Sequence, residues 1–412
     1  MLRAEQGLFH PRAVLYSISK DDMNGPGSAP RQIGRPRVDD ASLDTVGTKA
    51  ELQPTQKRVV QVTAPPSMDS PNLDLLRSIA AAFVLIFHVL LFFSASELHP
   101  ANLVELGHWG VLMFFVHTSL VLMLSLERQR QRSPGRSLFG AFMLRRCFRL
   151  LPLSMLIVLF VVIFDLPVGH LRDGLFSRVK VDAKVILSNL LLVQDLTRTE
   201  SVMATLWSLS YEMQMYLTLP LLFLFARSVR TLRPLLALWV GSVVFSSSWL
   251  RWGRNDLIDF PQYVPCFLAG IIAFRLGPVT RRSWPPLLWP VALATLTVAY
   301  LAHPTRIVGM FACLALGAII PRFRELNGKR TRRFLQLFAR YSYGLYLTHF
   351  ICVWFAFDAI HAYPAPVRWI TFLVTVVGCP IILYHAVEAP MISVGARVVD
   401  RLRRAAAPAA AA

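Results

Sequence analysis

Charge is scarce in this 412-residue chain. Only 16% of its residues are charged against 55% hydrophobic, and acids are the rarer sign, 24 against 43 Lys and Arg. With a mean hydropathy of +0.49, an ordinary soluble protein is excluded. Cysteine is sparse as well. Cys147, Cys266, Cys313, Cys352 and Cys379 stand singly in or beside apolar blocks. None has CxxC or metal-ligand spacing, so neither a disulfide framework nor a zinc site is indicated and no metal is expected. No Walker loop, GxGxxG, GxSxG or HExxH occurs. A nucleotide-driven pump, a Rossmann enzyme, a serine hydrolase and a zincin are therefore unsupported.

What is present is long apolar blocks separated by arginines. The net charge of +19 follows from that pattern, which is what the positive-inside rule produces, and nucleic acid is not an expected partner. Residues 1–70, rich in Pro, Gly, Ser, Asp, Arg and Gln, show no sustained apolar period and are expected to be a disordered tail. The apolar run Ala13 to Ile18 is too short for a signal peptide. Met68 or Met23 is the expected translation start, with the preceding residues a gene-start extension.

Apolar spans fall at roughly 73–93, 106–126, 147–166, 203–225, 234–250, 258–275, 286–302, 306–320, 334–356 and 367–386. Residues 183–196 are too short to cross and read as an interfacial or re-entrant piece. If the first span starts inside, the cytoplasmic loops hold 22 Lys and Arg and the opposite loops 9. The imbalance holds for every adjacent pair except around the long loop 167–202, where length weakens the rule. The expected fold is all-α: about ten transmembrane helices in one bundle over 71–397, both termini cytoplasmic, and a short tail at 398–412.

Within the first span, Arg77 and His88 do not belong on hydrophobic grounds. Eleven residues apart, close to three turns, they share a helix face and lie about 16 Å apart along the axis. Ionisable residues inside a membrane usually face protein or water and are functional candidates. On this helix alone the alternative is a snorkelling arginine and a histidine bonded within the bundle. Counting residues places His88 and His349 about 22 Å above the cytoplasmic end and Glu212 about 13 Å below the outer surface. Three ionisable groups at similar depth, in the outer half of the membrane, make a candidate catalytic layer.

Arg145, Arg146 and Arg149 begin the third span at the cytoplasmic side, level with Arg77. Arg145 and Arg149, four apart, share a face. Guanidinium groups bind phosphate in bidentate fashion, which suits a phosphorylated ligand at this mouth. Basic residues at a cytoplasmic helix end are also what orientation alone supplies, and Arg149, one turn deeper, is the least explained by it. His117, mid-span, reads first as a histidine bonded to the bundle and second as a cavity-lining residue. Asp259 and Arg275 lie at span ends, and Glu388 is placed to pair with a cytoplasmic arginine.

Six segments in order resemble the acyltransferase-3 family of integral membrane O-acyltransferases, over about residues 72–397. Arg77 with His88 is similar to the family's Arg-x10-His. Gly110-Val-Leu-Met-Phe-Phe-Val resembles Gly-Val-x-x-Phe-Phe. Phe142-Met-Leu-Arg-Arg-Cys-Phe-Arg-Leu-Leu-Pro152 resembles Phe-x-x-Arg-Arg-x-x-Arg-x-x-Pro. Trp207-Ser-Leu-Ser-Tyr-Glu212 with Tyr216, Ser342-Tyr-Gly-Leu-Tyr-Leu-Thr-His349 and Glu388-Ala-Pro390 resemble the remaining motifs. After Phe-Phe-Val the family usually reads Leu-Ser-Gly-Phe, whereas here it is His117-Thr-Ser-Leu120. Loss of that glycine predicts altered helix packing or cavity shape. No soluble esterase-like domain, as found in some members, is expected after the last span.

The resemblance implies an enzyme of the inner (cytoplasmic) membrane, multi-pass, that transfers an acyl group, often acetyl, from cytoplasmic acyl-CoA to a hydroxyl of a carbohydrate or glycan-like acceptor. No bound cofactor is implied, because acyl-CoA is a substrate. Arg77, Arg145, Arg146 and Arg149 would bind the donor, with His88, Glu212 and His349 in the catalytic layer. His88 would act as general base or be acylated briefly, with Glu212 orienting it. His117, Tyr216 and Tyr343 are candidate cavity-lining residues. The competing class is a secondary transporter or flippase, which would also carry intramembrane charges; no inverted repeat supports it.

Overall fold

The computed structural model describes residues 70–93, 101–132, 138–172, 175–251, 259–280 and 282–405, all within the second of two units, Gln61–Ala412. The expectations for the tail at 1–69 and for a start at Met23 or Met68 lie outside these residues. Among the described residues the architecture is all-α apart from one short hairpin. The helices are α1 Pro71–Phe93, α2 Ala101–Arg132, α3 Leu138–Ile163, α4 Ala183–Leu190, α5 Gln194–Thr197, α6 Trp207–Ser228 and α7 Arg233–Arg251, then α8 Val264–Leu276, α9 Leu288–Ala302, α10 Arg306–Ile319, α11 Lys329–Val353, α12 Ala365–Leu383 and α13 Ala389–Ala405. Strands β1 His170–Arg172 and β2 Leu175–Ser177 pair antiparallel, Leu171 opposite Phe176.

Among the described residues four stretches are long and apolar enough to cross a membrane: Pro71–Phe93, Glu105–Gln131, Phe139–Ile163 and Ala365–Arg404. Fewer than the ten expected spans qualify: α8, α9 and α10 have 13, 15 and 14 residues, about 20 to 22 Å of helix against a hydrocarbon core of about 30 Å, while α6 and α7 have 22 and 19 residues but are less apolar. α11 is long enough, but its first turn is Lys-Arg-Thr-Arg-Arg. The last stretch joins α12 to α13 through a π-helical segment, Tyr384–Glu388, so the chain stays helical past 397.

α2 is the central helix. It packs on α1, α6, α8, α9 and α10, and Trp109 ties it to α9 by donating to Thr297 Oγ1 at 3.0 Å and stacking on Tyr300. Two glycines let backbones touch. A Cβ on Gly110 would lie 2.7 Å from Ala80 O, which seals the seam between α1 and α2. A Cβ on Gly270 would lie 2.0 Å from Ser119 Oγ and 2.3 Å from Val116 O. The close approach that the family motif assigns to a glycine after Phe-Phe-Val is thus supplied here from α8, opposite Ser119.

A polar knot sets the register of α1 against α11. Ser70 Oγ donates to Glu325 Oε2 at 2.8 Å, and Glu325 also pairs with Arg282. Asn72 donates to Arg324 O and accepts from Leu326 N, both at 3.0 Å, while its carbonyl accepts Trp289 Nε1–H at 3.0 Å. α1 and α11 therefore start at the same end and run parallel.

The piece expected to be interfacial or re-entrant forms α4 and α5, and the chain beyond α5 sinks into the bundle. Met203, Thr205 and Leu206 are buried. Gln194 Nε2 donates to Leu206 O at 2.9 Å, and Asn189 holds Glu200 O and Val202 N. These side chains replace the water that a loop backbone normally needs. α6 consequently begins inside the protein.

Candidate active site

A cavity of about 190 Å³ opens among α1, α2, α3, α6 and α11. Arg77, Arg146, Arg149, Asp74 and Glu212 supply its charges, and His117, Tyr216, Tyr343 and Tyr346 also line it. Arg146 and Arg149, three apart on α3, face the cavity together, whereas Arg145 is not among the lining residues. The shared face is therefore the i, i+3 pair rather than the expected Arg145–Arg149 pair. Arg146 donates from Nη2 to Ser125 Oγ at 3.3 Å, and its guanidinium lies over the Phe142 ring. Nε of Arg77 and Nε of Arg146 are buried without a hydrogen-bond partner among the described residues. Leaving a charged donor unmet costs more than leaving a neutral one, and an anion held in the cavity would lower that cost.

Glu212 accepts the Tyr216 hydroxyl proton and feels the charges of Arg77, Arg149 and Arg146. It stands with the arginines, not with the histidines. The depth count took the fourth span to reach the outer surface. The structure instead starts α6 at Trp207, level with Tyr346, whose hydroxyl donates to Thr205 O at 3.0 Å and accepts from Ser208 Oγ at 2.6 Å. Glu212 lies one turn beyond Ser208, and His349 lies just under a turn from Tyr346 in the opposite direction. The two are thereby separated by about 10 Å of helix rise.

His88 and His349 do meet. His349 Nε2 is 3.2 Å from His88 Nδ1, with ring centroids 4.9 Å apart. Each Nδ1 also faces a carbonyl one turn back: His88 to Val84 O at 2.8 Å and His349 to Leu345 O at 2.9 Å. A carbonyl can only accept, so both imidazoles carry the proton on Nδ1 when neutral. The His349 Nε2 lone pair then receives a share of the His88 Nδ1–H. Nε2 of His88 is left as the basic nitrogen, set among Phe87 and Phe350. The two imidazoles thus differ: His349 presents its Nε2 to His88, whereas His88 Nε2 is not part of that contact.

Two residues of the site were missed by sequence reasoning. Tyr346 closes the top of the cavity; its place three residues before His349 and three after Tyr343, on one helix face, was the available sign. Phe176, on β2, reaches back to pack on Phe92 and Phe350, and nothing local in the long loop 167–202 foretells that contact. Glu388, expected to pair with an arginine, is 2% exposed, with Oε2 unpartnered among the described residues, and feels Arg149 and Arg77. Tyr343 donates to Leu150 O at 2.6 Å, one turn from Arg146.

Apolar helices around an internal chamber lined by arginines, with a buried imidazole pair farther along α1 and α11, mark a membrane protein with an internal polar site. The chain belongs to the acyltransferase-3 family. A family model described as "Acyltransferase domain" matches residues 70–385, the whole stretch that builds the chamber and the histidine pair, so this is a membrane acyltransferase. Neither the curated proteins nor the solved structures contain a match.

Proposed function

We propose that this enzyme moves an acyl group, acetyl first among candidates, from cytoplasmic acyl-CoA to a hydroxyl of a carbohydrate or glycan-like acceptor at the far face of the inner membrane. In this reading the chain crosses ten times, some short helices being accommodated by local thinning of the bilayer, and both termini are cytoplasmic. The observation that carries the proposal is the pair of buried, partnerless guanidinium nitrogens of Arg77 and Arg146 beneath the His88–His349 pair. A phosphorylated donor meets the first, and an acceptor hydroxyl needs the second.

The donor phosphates bind Arg77, Arg146 and Arg149, and the pantetheine arm carries the thioester past α11 toward His88. His88 Nε2 takes the proton of the acceptor hydroxyl as its oxygen attacks the thioester carbonyl. The tetrahedral intermediate collapses with cleavage of the C–S bond. The thiolate leaves and regains the proton from His88, so the products are an ester and free CoA. His349 Nε2 holds the Nδ1–H while the imidazolium exists. Glu212, with Tyr216, balances the arginine charge between turnovers.

The test is incubation of purified protein in detergent or liposomes with radiolabelled acetyl-CoA, with and without added oligosaccharide. Release of labelled acetate, rising or diverting to ester when an acceptor is present, is expected. His88→Ala should abolish both while the protein remains inserted; full activity in that variant would remove His88 from the reaction.

A further inference from the structure

The chamber and the histidine pair do not join. α1 lines the cavity only as far as Arg77, and His88 is three turns on, about 16 Å. Between them the α1–α2 seam is closed by Gly110 against Ala80 O, and Ala81 and Val84 are both 3% exposed. On α11 one side chain faces both the cavity and the histidine pair. Tyr346 lines the top of the cavity, stands edge-on to Phe114 with ring centroids 6.0 Å apart, and has its own ring 6.0 Å from His349. Its hydroxyl is pinned by Ser208 Oγ at 2.6 Å and by Thr205 O at 3.0 Å.

We infer that Tyr346 is the specificity-determining residue of the donor channel: its ring, with Phe114, limits the length of acyl group that can pass from the arginine chamber to His88. This inference rests on the reading of the arginine chamber as the donor site. A ring held by two hydrogen bonds at its hydroxyl has little freedom to swing aside, so a small acyl group passes it more readily than a long one. Each added methylene must be placed against Tyr346 and Phe114 or must break the tie to Ser208. Thr205 Oγ1, buried and without a partner among the described residues, lies at the same junction, where an acyl carbonyl passing the ring meets a hydroxyl. Nothing in this selection requires Tyr346 to take part in proton transfer.

The test compares kcat/KM for acetyl-, butyryl- and hexanoyl-CoA in wild type, Tyr346→Ala and Tyr346→Phe, with affinity for CoA itself measured alongside. Wild type should fall with chain length. Tyr346→Ala should raise the butyryl-to-acetyl ratio by about tenfold or more, the discrimination that one or two methylenes carry in an apolar pocket. Tyr346→Phe, which keeps the ring and loses the tie to Ser208 and Thr205, should fall between. CoA affinity, set at the arginines, should stay within about twofold in all three. An unchanged ratio in Tyr346→Ala overturns the inference and leaves the donor reading standing. A wild type inert toward every acyl-CoA overturns both. Should Tyr346→Ala fail to fold, Phe114→Ala opens the same ceiling from α2, and an unchanged ratio there is equally decisive.

Discussion

Replacing His349 by leucine isolates one hydrogen bond. Leucine removes the Nε2 acceptor 3.2 Å from His88 Nδ1 and leaves the bond from His88 Nδ1–H to Val84 O at 2.8 Å. The tautomer of His88 is therefore unchanged, and its Nε2 remains the base. What is lost is a partner for the imidazolium that forms as the acceptor proton is taken up. A hydrogen bond to a charged group is worth about 1.5–3 kcal/mol, so kcat should fall by about 10- to 150-fold. Removing the base itself, His88→Ala, should cost about 10²–10⁴. His349→Gln, whose amide oxygen can stand near the lost nitrogen, should recover part of the deficit. The assay is single-turnover transfer or hydrolysis of labelled acetyl-CoA, with thermal melts to confirm folding. A His349→Leu enzyme as inactive as His88→Ala, with no rescue by glutamine, would refute the assignment of separate roles.

Three other outcomes are expected. Arg77→Met and Arg149→Met should each weaken CoA binding by about 1.5–3 kcal/mol, the loss of one charge-assisted contact, in isothermal titration; unchanged affinity would move the phosphate site elsewhere. Gly270→Ala should destabilise the protein by about 1–3 kcal/mol through overpacking against Val116 O and Ser119 Oγ, read as a lower midpoint on heating in detergent, and Ser119→Ala should relieve only the side-chain share. For topology, a cysteine replacing Thr331 in a cysteine-free background should react with an impermeant maleimide only when the cytoplasmic face is exposed, and one replacing Thr199 only from the other side. The opposite pattern would invert the orientation.

The parts legible in the sequence are those set by local chemistry. Apolar blocks must leave water, which makes the helices and the membrane setting readable from composition. The period of 3.6 puts Arg77 and His88 on one face whatever packs against it. Ordered motifs carry the family. Distances between helices are different, because they depend on where each helix begins in the bundle, and that is decided by side chains far away in sequence. The depth count missed Glu212 for this reason. Gln194 and Asn189 draw residues 201–206 inward, so α6 starts level with Tyr346 and carries Glu212 to the arginines. The meeting of His88 with His349 likewise depends on Asn72, Ser70 and Glu325 tying two helix starts together across some 250 residues. The sequence by itself determined a helical membrane protein with an arginine near the start of the first span and a histidine three turns on. The tertiary structure decided which of those charges share a chamber, which histidines meet and what stands between them, because hydrogen bonds between distant segments, not periodicity, set the register of packed helices.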